Sequence, residues 1–125
     1  MKKIKYLIFE ADGEFFGVEI KYVLKIKDNT KYFELPYHDE RYTGLIQFEN
    51  KFIPVYNFRG KNKGNAVIFI RYRMEEFALF AENIYDIYEF SSEEASARNG
   101  KDYVIFENKE TELINLENLT QGGSD

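Results

Sequence analysis

The sequence has no cysteine and no tryptophan, one histidine (His38) and two prolines (Pro36 and Pro54) among its 125 residues. Without cysteine there is no disulfide framework, thiolate zinc site, iron–sulfur cluster or cysteine nucleophile. One histidine excludes a multi-histidine metal centre. The lack of cysteine is compatible with the cytosol. No apolar run reaches the length of about 18 residues that a membrane-spanning helix needs, so no direct membrane insertion is expected. Met1-Lys2-Lys3 begins as a signal peptide does, but Lys5 and Glu10 interrupt the stretch that follows. Basic charge is also in short supply: 17 Lys and Arg stand against 22 Asp and Glu, a net charge of −5. Such a chain is poorly matched to a phosphate backbone, and no nucleic-acid partner is expected.

Aromatic side chains, by contrast, make up 18% of the sequence, ten Tyr and twelve Phe, and apolar residues 44%. That composition argues against disorder. The length suits one domain, residues 1–125, which buries roughly two-thirds of its unfolded surface without a staple.

Short apolar runs separated by turn signals predict an all-β protein. Residues 4–11 are apolar on both phases and read as a well-buried strand. Asp12-Gly13 follows, a strong two-residue hairpin signal. Strands are expected over 14–20 and 22–27, then a loop around Pro36 spanning about 34–42. A second hairpin joins 43–49 to 51–58, with Asn50 as the residue best suited to positive φ. Pro54 cannot donate to a ladder, so its strand is an edge or is bulged there. Residues 59–65 form a polar loop. Strands follow over 66–72, 76–81 and 84–90, the last of which also suits a helix. Residues 91–100 read as a solvated loop or one helical turn ending at Asn99-Gly100. Strands at 102–107 and 111–115 precede a short closing helix, since Leu113, Leu116 and Leu119 have helical spacing. Gln121–Asp125 reads as a frayed tail.

The sequence also repeats itself. Phe16-Gly17-Val18, with Lys21, Val23, Lys25 and Ile26 after it, matches Phe77-Ala78-Leu79, with Glu82, Ile84, Asp86 and Ile87. Val55-Tyr56-Asn57-Phe58 matches Leu113-Ile114-Asn115-Leu116 at nearly the same offset. Two similar half-chain units, about 1–60 and 65–121, are therefore expected to share an apolar seam. The half to which the first strand belongs is left open.

Reaction chemistry is thinly signalled. His38, flanked by Tyr37, Asp39, Glu40 and Arg41, is the one candidate general base, but neighbours in sequence rarely form a relay and no nucleophile accompanies it. Glu93-Glu94 reads as a solvated face. Gly60-Lys61-Asn62-Lys63-Gly64 lacks the spacing of a phosphate-binding loop. Asn118-Leu119-Thr120 is a formal glycosylation sequon. Tyr6, Phe9, Tyr22, Tyr85 and Tyr88 are candidates for a stacking platform, which would make the protein a small β-barrel module that binds a ligand or oligonucleotide through surface tyrosines. No cofactor is implied, and the bottom-up reading is a small acidic binding module rather than an enzyme.

Residues 44–59, Gly-Leu-Ile-Gln-Phe-Glu-Asn-Lys-Phe-Ile-Pro-Val-Tyr-Asn-Phe-Arg, resemble the central signature of CheW-like chemotaxis adaptor domains. Phe16-Gly17-Val18-Glu19-Ile20 with Val23 and Ile26, Leu35-Pro36, and Phe77 to Ile87 are similar to further segments of that family, in the same order. The resemblance implies two small five-stranded β-barrels sharing a hydrophobic seam. It implies a cytoplasmic bacterial adaptor that couples the cytoplasmic tip of a chemoreceptor to the regulatory domain of a CheA-type histidine kinase. The positions it offers as a protein interface are Lys25, Gln47, Glu49, Asn50 and Asn57. Several depart from the family pattern. Glu49-Asn50 stands for Arg-Gly, Gln47 for Asn, Asn57 for Asp, and Lys25 for Glu. Lys25 and Glu49 thus reverse two charges, and the resemblance implies that they sit on neighbouring strands and pair.

Overall fold

The computed structural model describes residues 2–28, 32–34, 41–58 and 65–120. Among the described residues there are twelve strands: β1 (Lys3–Ala11), β2 (Glu14–Glu19), β3 (Val23–Asp28), β4 (Tyr32–Glu34), β5 (Tyr42–Phe48), β6 (Lys51–Tyr56), β7 (Ala66–Tyr72), β8 (Glu75–Ala81), β9 (Asn83–Ser91), β10 (Ser96–Arg98), β11 (Lys101–Phe106) and β12 (Lys109–Leu113). One helix, α1 (Leu116–Thr120), follows them, where the leucine spacing placed it. Residues 84–90 are strand, not helix.

The strands form two six-stranded sheets, ordered β10-β11-β12-β2-β1-β9 and β4-β5-β6-β8-β7-β3. The two orders are the same list shifted by six strands. Each sheet holds a hairpin from one repeat and four strands from the other. The crossings fall at residues 20–22, a single 3-10 turn, and at Glu82. The register repeats as well: Leu113 runs parallel beside Gly17, and Val55 parallel beside Ala78. Neither sheet is confined to one side of the 59–65 stretch.

This interleaving explains why β1 and β7 are apolar on both phases. Leu7, Phe9, Phe16 and Val18 from the first sheet meet Ile68, Ile70, Phe77 and Leu79 from the second in one shared core. The opposite faces of the same hairpins line two separate cores. Ile8 joins Phe90, Val104 and Phe106, and Val67, Phe69 and Ala78 join Ile46, Phe48, Ile53 and Val55. The shared seam is therefore present. The five-stranded barrels implied by the resemblance are not: each sheet has six strands, and no ladder joins its outer strands among the described residues. The sixth strand is the one that crosses over, β3 or β9, which pairs with the hairpin of the other repeat.

Five hairpins have two-residue loops. Asp12-Gly13 has φ of 54° and 75°, the left-handed pair that matches strand twist. In the β5–β6 hairpin it is Glu49 (φ 57°), and not Asn50, that takes the left-handed position. The pairing of Phe48 with Lys51 makes Glu49 the first central residue, where primed turns require positive φ. Asn99-Gly100 turns the β10–β11 hairpin and does not end a helix. The helical turn is a 3-10 turn at Ser92–Glu94, closed by Glu94, whose side chain accepts the Ser91 N–H at 2.6 Å. Arg73-Met74 makes the β7–β8 turn with φ of 51° and 66°. Met74 is 96% exposed, so its side chain returns little for the strain. Met74→Gly is expected to raise stability by about 0.5–1 kcal/mol, the left-handed penalty less the entropy of glycine. Thermal unfolding measures it.

Candidate docking surface

Alternation in β5 and β6 sends Ile46, Phe48, Ile53 and Val55 into the second sheet's own core. The intervening residues therefore point the other way. Leu45 lies opposite Pro54, Gln47 opposite Phe52, and Phe33 of β4 opposite Leu45. Phe33 is 45% exposed, Phe52 52% and Leu45 37%. The Phe33 and Phe52 rings meet edge to face, with centroids 5.5 Å apart. An exposed apolar patch of this kind on an outer sheet face is a candidate interaction site, and aromatic anchors dominate such sites energetically.

Gly44 lets this surface form. A Cβ there would lie 2.2 Å from the Phe33 carbonyl oxygen and 2.7 Å from the Tyr32 ring. Only glycine lets β4 approach β5 this closely. Tyr32 points inward beside the second sheet's core, stacks edge to face on Phe80, and donates its hydroxyl to the Thr43 carbonyl at 2.8 Å. That anchor turns the next residue, Phe33, outward.

Of the interface residues expected from the sequence, Gln47 lies inside the patch, and Glu49 and Asn50 form the exposed turn at its end. Lys25 is exposed on β3, elsewhere in the sheet. β7, β8 and β6 lie between β3 and β5 in the sheet order. The expected Lys25–Glu49 pair thus fails: the strands are not hydrogen-bonded neighbours, and no ion pair joins the two residues. Asn57 is half-buried beyond β6, and its N–H donates to the Arg41 carbonyl at 2.7 Å. It lines a cleft of about 410 Å³ where the ends of β6 and β12 meet, together with Phe58, Asn115 and Leu119. Asn57 and Asn115 are repeat equivalents. The mixed lining, with Arg41 and Lys101 beside Asp102 and Glu112, presents no charge of one sign.

The residue types missed were the apolar ones, Phe33, Leu45 and Phe52. The signal for two of them was present: Leu45 and Phe52 fall on the phase opposite Ile46 and Ile53, so both faces of one hairpin carry apolar residues.

The tyrosine platform forms only in part. Tyr6 lies opposite Tyr88 and both rings meet Phe90, and Tyr88 is linked through Phe106 and Phe15 to Tyr85, whereas Phe9 is fully buried and Tyr22 packs edge to face on Tyr72. His38, Tyr37, Asp39 and Glu40, the 60–64 loop, Leu35-Pro36 and the 121–125 tail lie outside the described residues. Glu94 serves the turn closure already described, and Asn118 of the sequon sits on α1 beside the cleft.

Several other charged groups are held in hydrogen bonds and ion pairs. Glu76 binds Lys51 and Arg71, whose hydrogen bonds hold its carboxyl below the usual carboxylate range. Glu10 is lowered in the same way by the Asn83 amide and then the Tyr85 hydroxyl. Burial, and then the hydroxyl's bond to Glu75 at 2.9 Å, push Tyr56 far above the ordinary tyrosine value. None of these lies against a nucleophile. Among the described residues no acidic or histidine cluster could hold a metal ion, and no helix is long and apolar enough to cross a membrane.

No family model matches the chain, and no curated protein matches it. Among solved structures it is similar to the scaffolding protein TtCheW from Thermoanaerobacter tengcongensis, with a TM-score of 0.79 at 16% identity, over 94% of this chain and 92% of that one. The fold of this chain is therefore CheW-like, as the resemblance of residues 44–59 implied.

Proposed function

We propose that this chain is a non-enzymatic adaptor of bacterial chemotaxis signal transduction, working in the cytoplasm. It couples the cytoplasmic tip of a chemoreceptor to the regulatory domain of a CheA-type histidine kinase by protein–protein docking. The observation that carries this reading is the Phe33–Leu45–Phe52 patch, continuous with Gln47, Glu49 and Asn50, on a fold similar to that of a scaffolding protein. The patch supplies aromatic anchors, and the polar turn beside it supplies the rim that sets partner choice.

Glu49 and Lys25 carry the charges opposite to those of the family pattern. Like charges brought together at an interface are penalised by several kcal/mol. The partner of this chain therefore carries matching changes on its own surface, and a standard chemotaxis kinase binds it poorly. The Lys25 and Glu49 contributions are independent, since no ion pair links them.

Titration against the regulatory domain of the kinase from the same cell tests the reading. Phe33→Ala and Phe52→Ala are each expected to weaken binding by about 10-fold or more, with the melting temperature little changed because both rings are half exposed. Glu49→Arg should shift preference toward a standard kinase domain. Parent-like binding by both phenylalanine variants would remove the patch from the interface. Absence of binding to any kinase regulatory domain or receptor tip would end the adaptor reading.

A further inference from the structure

A second, smaller cleft of about 220 Å³ lies where the first sheet meets the 3-10 turn at residues 20–22 and α1. Three tyrosines line it, Tyr6, Tyr22 and Tyr72, with three carboxylates, Glu19, Asp102 and Glu117. No lysine, arginine or histidine lines it among the described residues. The ladders explain the grouping. Tyr6 lies opposite Glu19 in the β1–β2 pair. Asp102 shares the inward phase of β11 with Val104 and Phe106. Tyr22 belongs to the crossing turn, and its ring meets that of Tyr72 edge to face, with centroids 5.0 Å apart.

Carboxylates grouped at a surface repel one another and by themselves hold nothing. Here each stands beside an aromatic ring, and two of the three pairs already hold a cation of this chain. The Lys21 Nζ stands 3.4 Å from Glu19 Oε2 and 5.1 Å from the centre of the Tyr22 ring. The Arg73 Nη1 stands 2.9 Å from Glu117 Oε1, and its guanidinium carbon 5.5 Å from the centre of the Tyr72 ring. Away from the cleft the arrangement recurs a third time: Arg98 binds Glu110 and lies 4.3 Å from the centre of the Tyr103 ring. In each case a carboxylate and the negative face of a ring share one cation. The remaining pair, Asp102 with Tyr6, has none: among the described residues no cation is paired with Asp102 or placed over the Tyr6 ring. Burial, and then the Glu19 and Asp102 carboxylates, push the Tyr6 hydroxyl above its ordinary value, so both charges act on this end of the cleft.

We propose that the cleft binds a guanidinium group supplied from outside the chain, held between the Asp102 carboxylate and the Tyr6 ring. A guanidinium is planar and weakly hydrated, so it lies on a ring and donates to a carboxylate at the same time. A small metal ion gains less from rings, and no group of carboxylates among the described residues could hold one. The volume suits a head group, since pockets for drug-sized ligands run to about 300–1,000 Å³. The net charge of −5 favours the approach of a cation. The guanidinium comes from an arginine side chain of a partner or from a free small guanidine. Phe33, Leu45 and Phe52 lie on the other sheet, so this site stands or falls separately from kinase docking.

Titration of the full chain with methylguanidinium, followed by amide NMR spectra, tests it. Saturable shifts are expected at Tyr6, Asp102 and Leu113, with weak affinity, about millimolar for so few atoms. Methylurea, neutral and of similar shape, should produce none. Asp102→Asn should weaken binding about 5-fold or more, and Asp102→Lys, which places a cation of the chain's own beside Tyr6, should abolish it. Glu89→Gln removes the same charge from β9 and should bind as the parent does. The spectrum of each variant reports its fold. A short peptide, acetyl-Gly-Arg-Gly-amide, separates the two sources: binding at least as tight as that of methylguanidinium assigns the site to an arginine of a partner, and weaker binding assigns it to a free guanidine. The proposal is overturned by an absence of saturable shifts at these residues or by equal shifts with methylurea. Parent-like binding by either Asp102 variant also overturns it, and so does a loss in Glu89→Gln equal to that in Asp102→Asn.

Discussion

Phe16→Ala and Phe77→Ala are each expected to cost about 3–5 kcal/mol, which takes a domain of ordinary stability, about 5–15 kcal/mol, close to or past its threshold. Both side chains are fully buried in the core shared by the two sheets. Phe16 packs edge to face on Phe58 at 4.8 Å and meets Phe9 at 5.8 Å. Phe77 packs edge to face on Tyr56, also at 4.8 Å. Each ring thus closes on the end of β6, where the chain leaves the second sheet. Removing either leaves a cavity walled by strands of both sheets, which cannot collapse without moving one sheet against the other. Chemical denaturation measures the loss. Because each sheet contains strands of both repeats, the two variants should unfold in one transition, with no stable half remaining. A variant melting within a degree or two of the parent would place that ring outside the core. A two-step transition would mean that the sheets fold independently despite the shared strands.

What the sequence made legible follows a physical division. Alternation and turn chemistry are local, and they located ten of the twelve strands and the helix. The missed strands, β4 and β10, have three residues each, and β10 (Ser-Ala-Arg) buries nothing, so it leaves no pattern to read. Asp12-Gly13 announced its hairpin because both residues tolerate positive φ. Arg73-Met74 and Glu107-Asn108 make turns with the same backbone signs, and only Asn108 is a residue that favours it; the flanking ladders impose the geometry there. The repeat was visible from the spacing of Phe16 and Phe77. The exchange of strands between repeats was not, because the choice of which hairpin β3 or β9 joins is made by the shared core. The same limit applies to the proposed docking surface. The resemblance supplied Gln47, Glu49 and Asn50, while Phe33 entered the surface only through the pairing of a three-residue strand. The inference that Lys25 and Glu49 are neighbours failed because β7 and β8, which lie beyond both in sequence, insert between their strands.

Gly44→Ala is expected to detach β4 and to abolish docking through the patch, although it adds one methyl group. The added Cβ would stand 2.2 Å from the Phe33 carbonyl oxygen, with the Tyr32 ring atoms at 2.7 and 2.8 Å. A side chain can rotate out of the way, but a backbone oxygen moves only if the strand moves. Overpacking of this kind costs about 1–3 kcal/mol, and here it falls on a three-residue strand with few other contacts to hold it. Hydrogen exchange should therefore show loss of protection confined to Tyr32–Glu34 and the facing part of β5, while the β1–β2 and β7–β8 hairpins stay protected. Gly17 supplies the control. Its Cβ would meet Leu113 Cδ2 at 3.1 Å and Ile8 Cδ1 at 3.3 Å, both ends of flexible side chains, and its repeat equivalent is already alanine, Ala78. Gly17→Ala should cost no more than about 1 kcal/mol and leave exchange and binding as in the parent. If Gly44→Ala retained both β4 protection and kinase-domain binding, the close approach of β4 to β5 would not be what places Phe33 in the docking surface. If Gly17→Ala were instead the more damaging change, the equivalence of Gly17 and Ala78 that the repeat asserts would be wrong at the position where the two parallel strand pairs match.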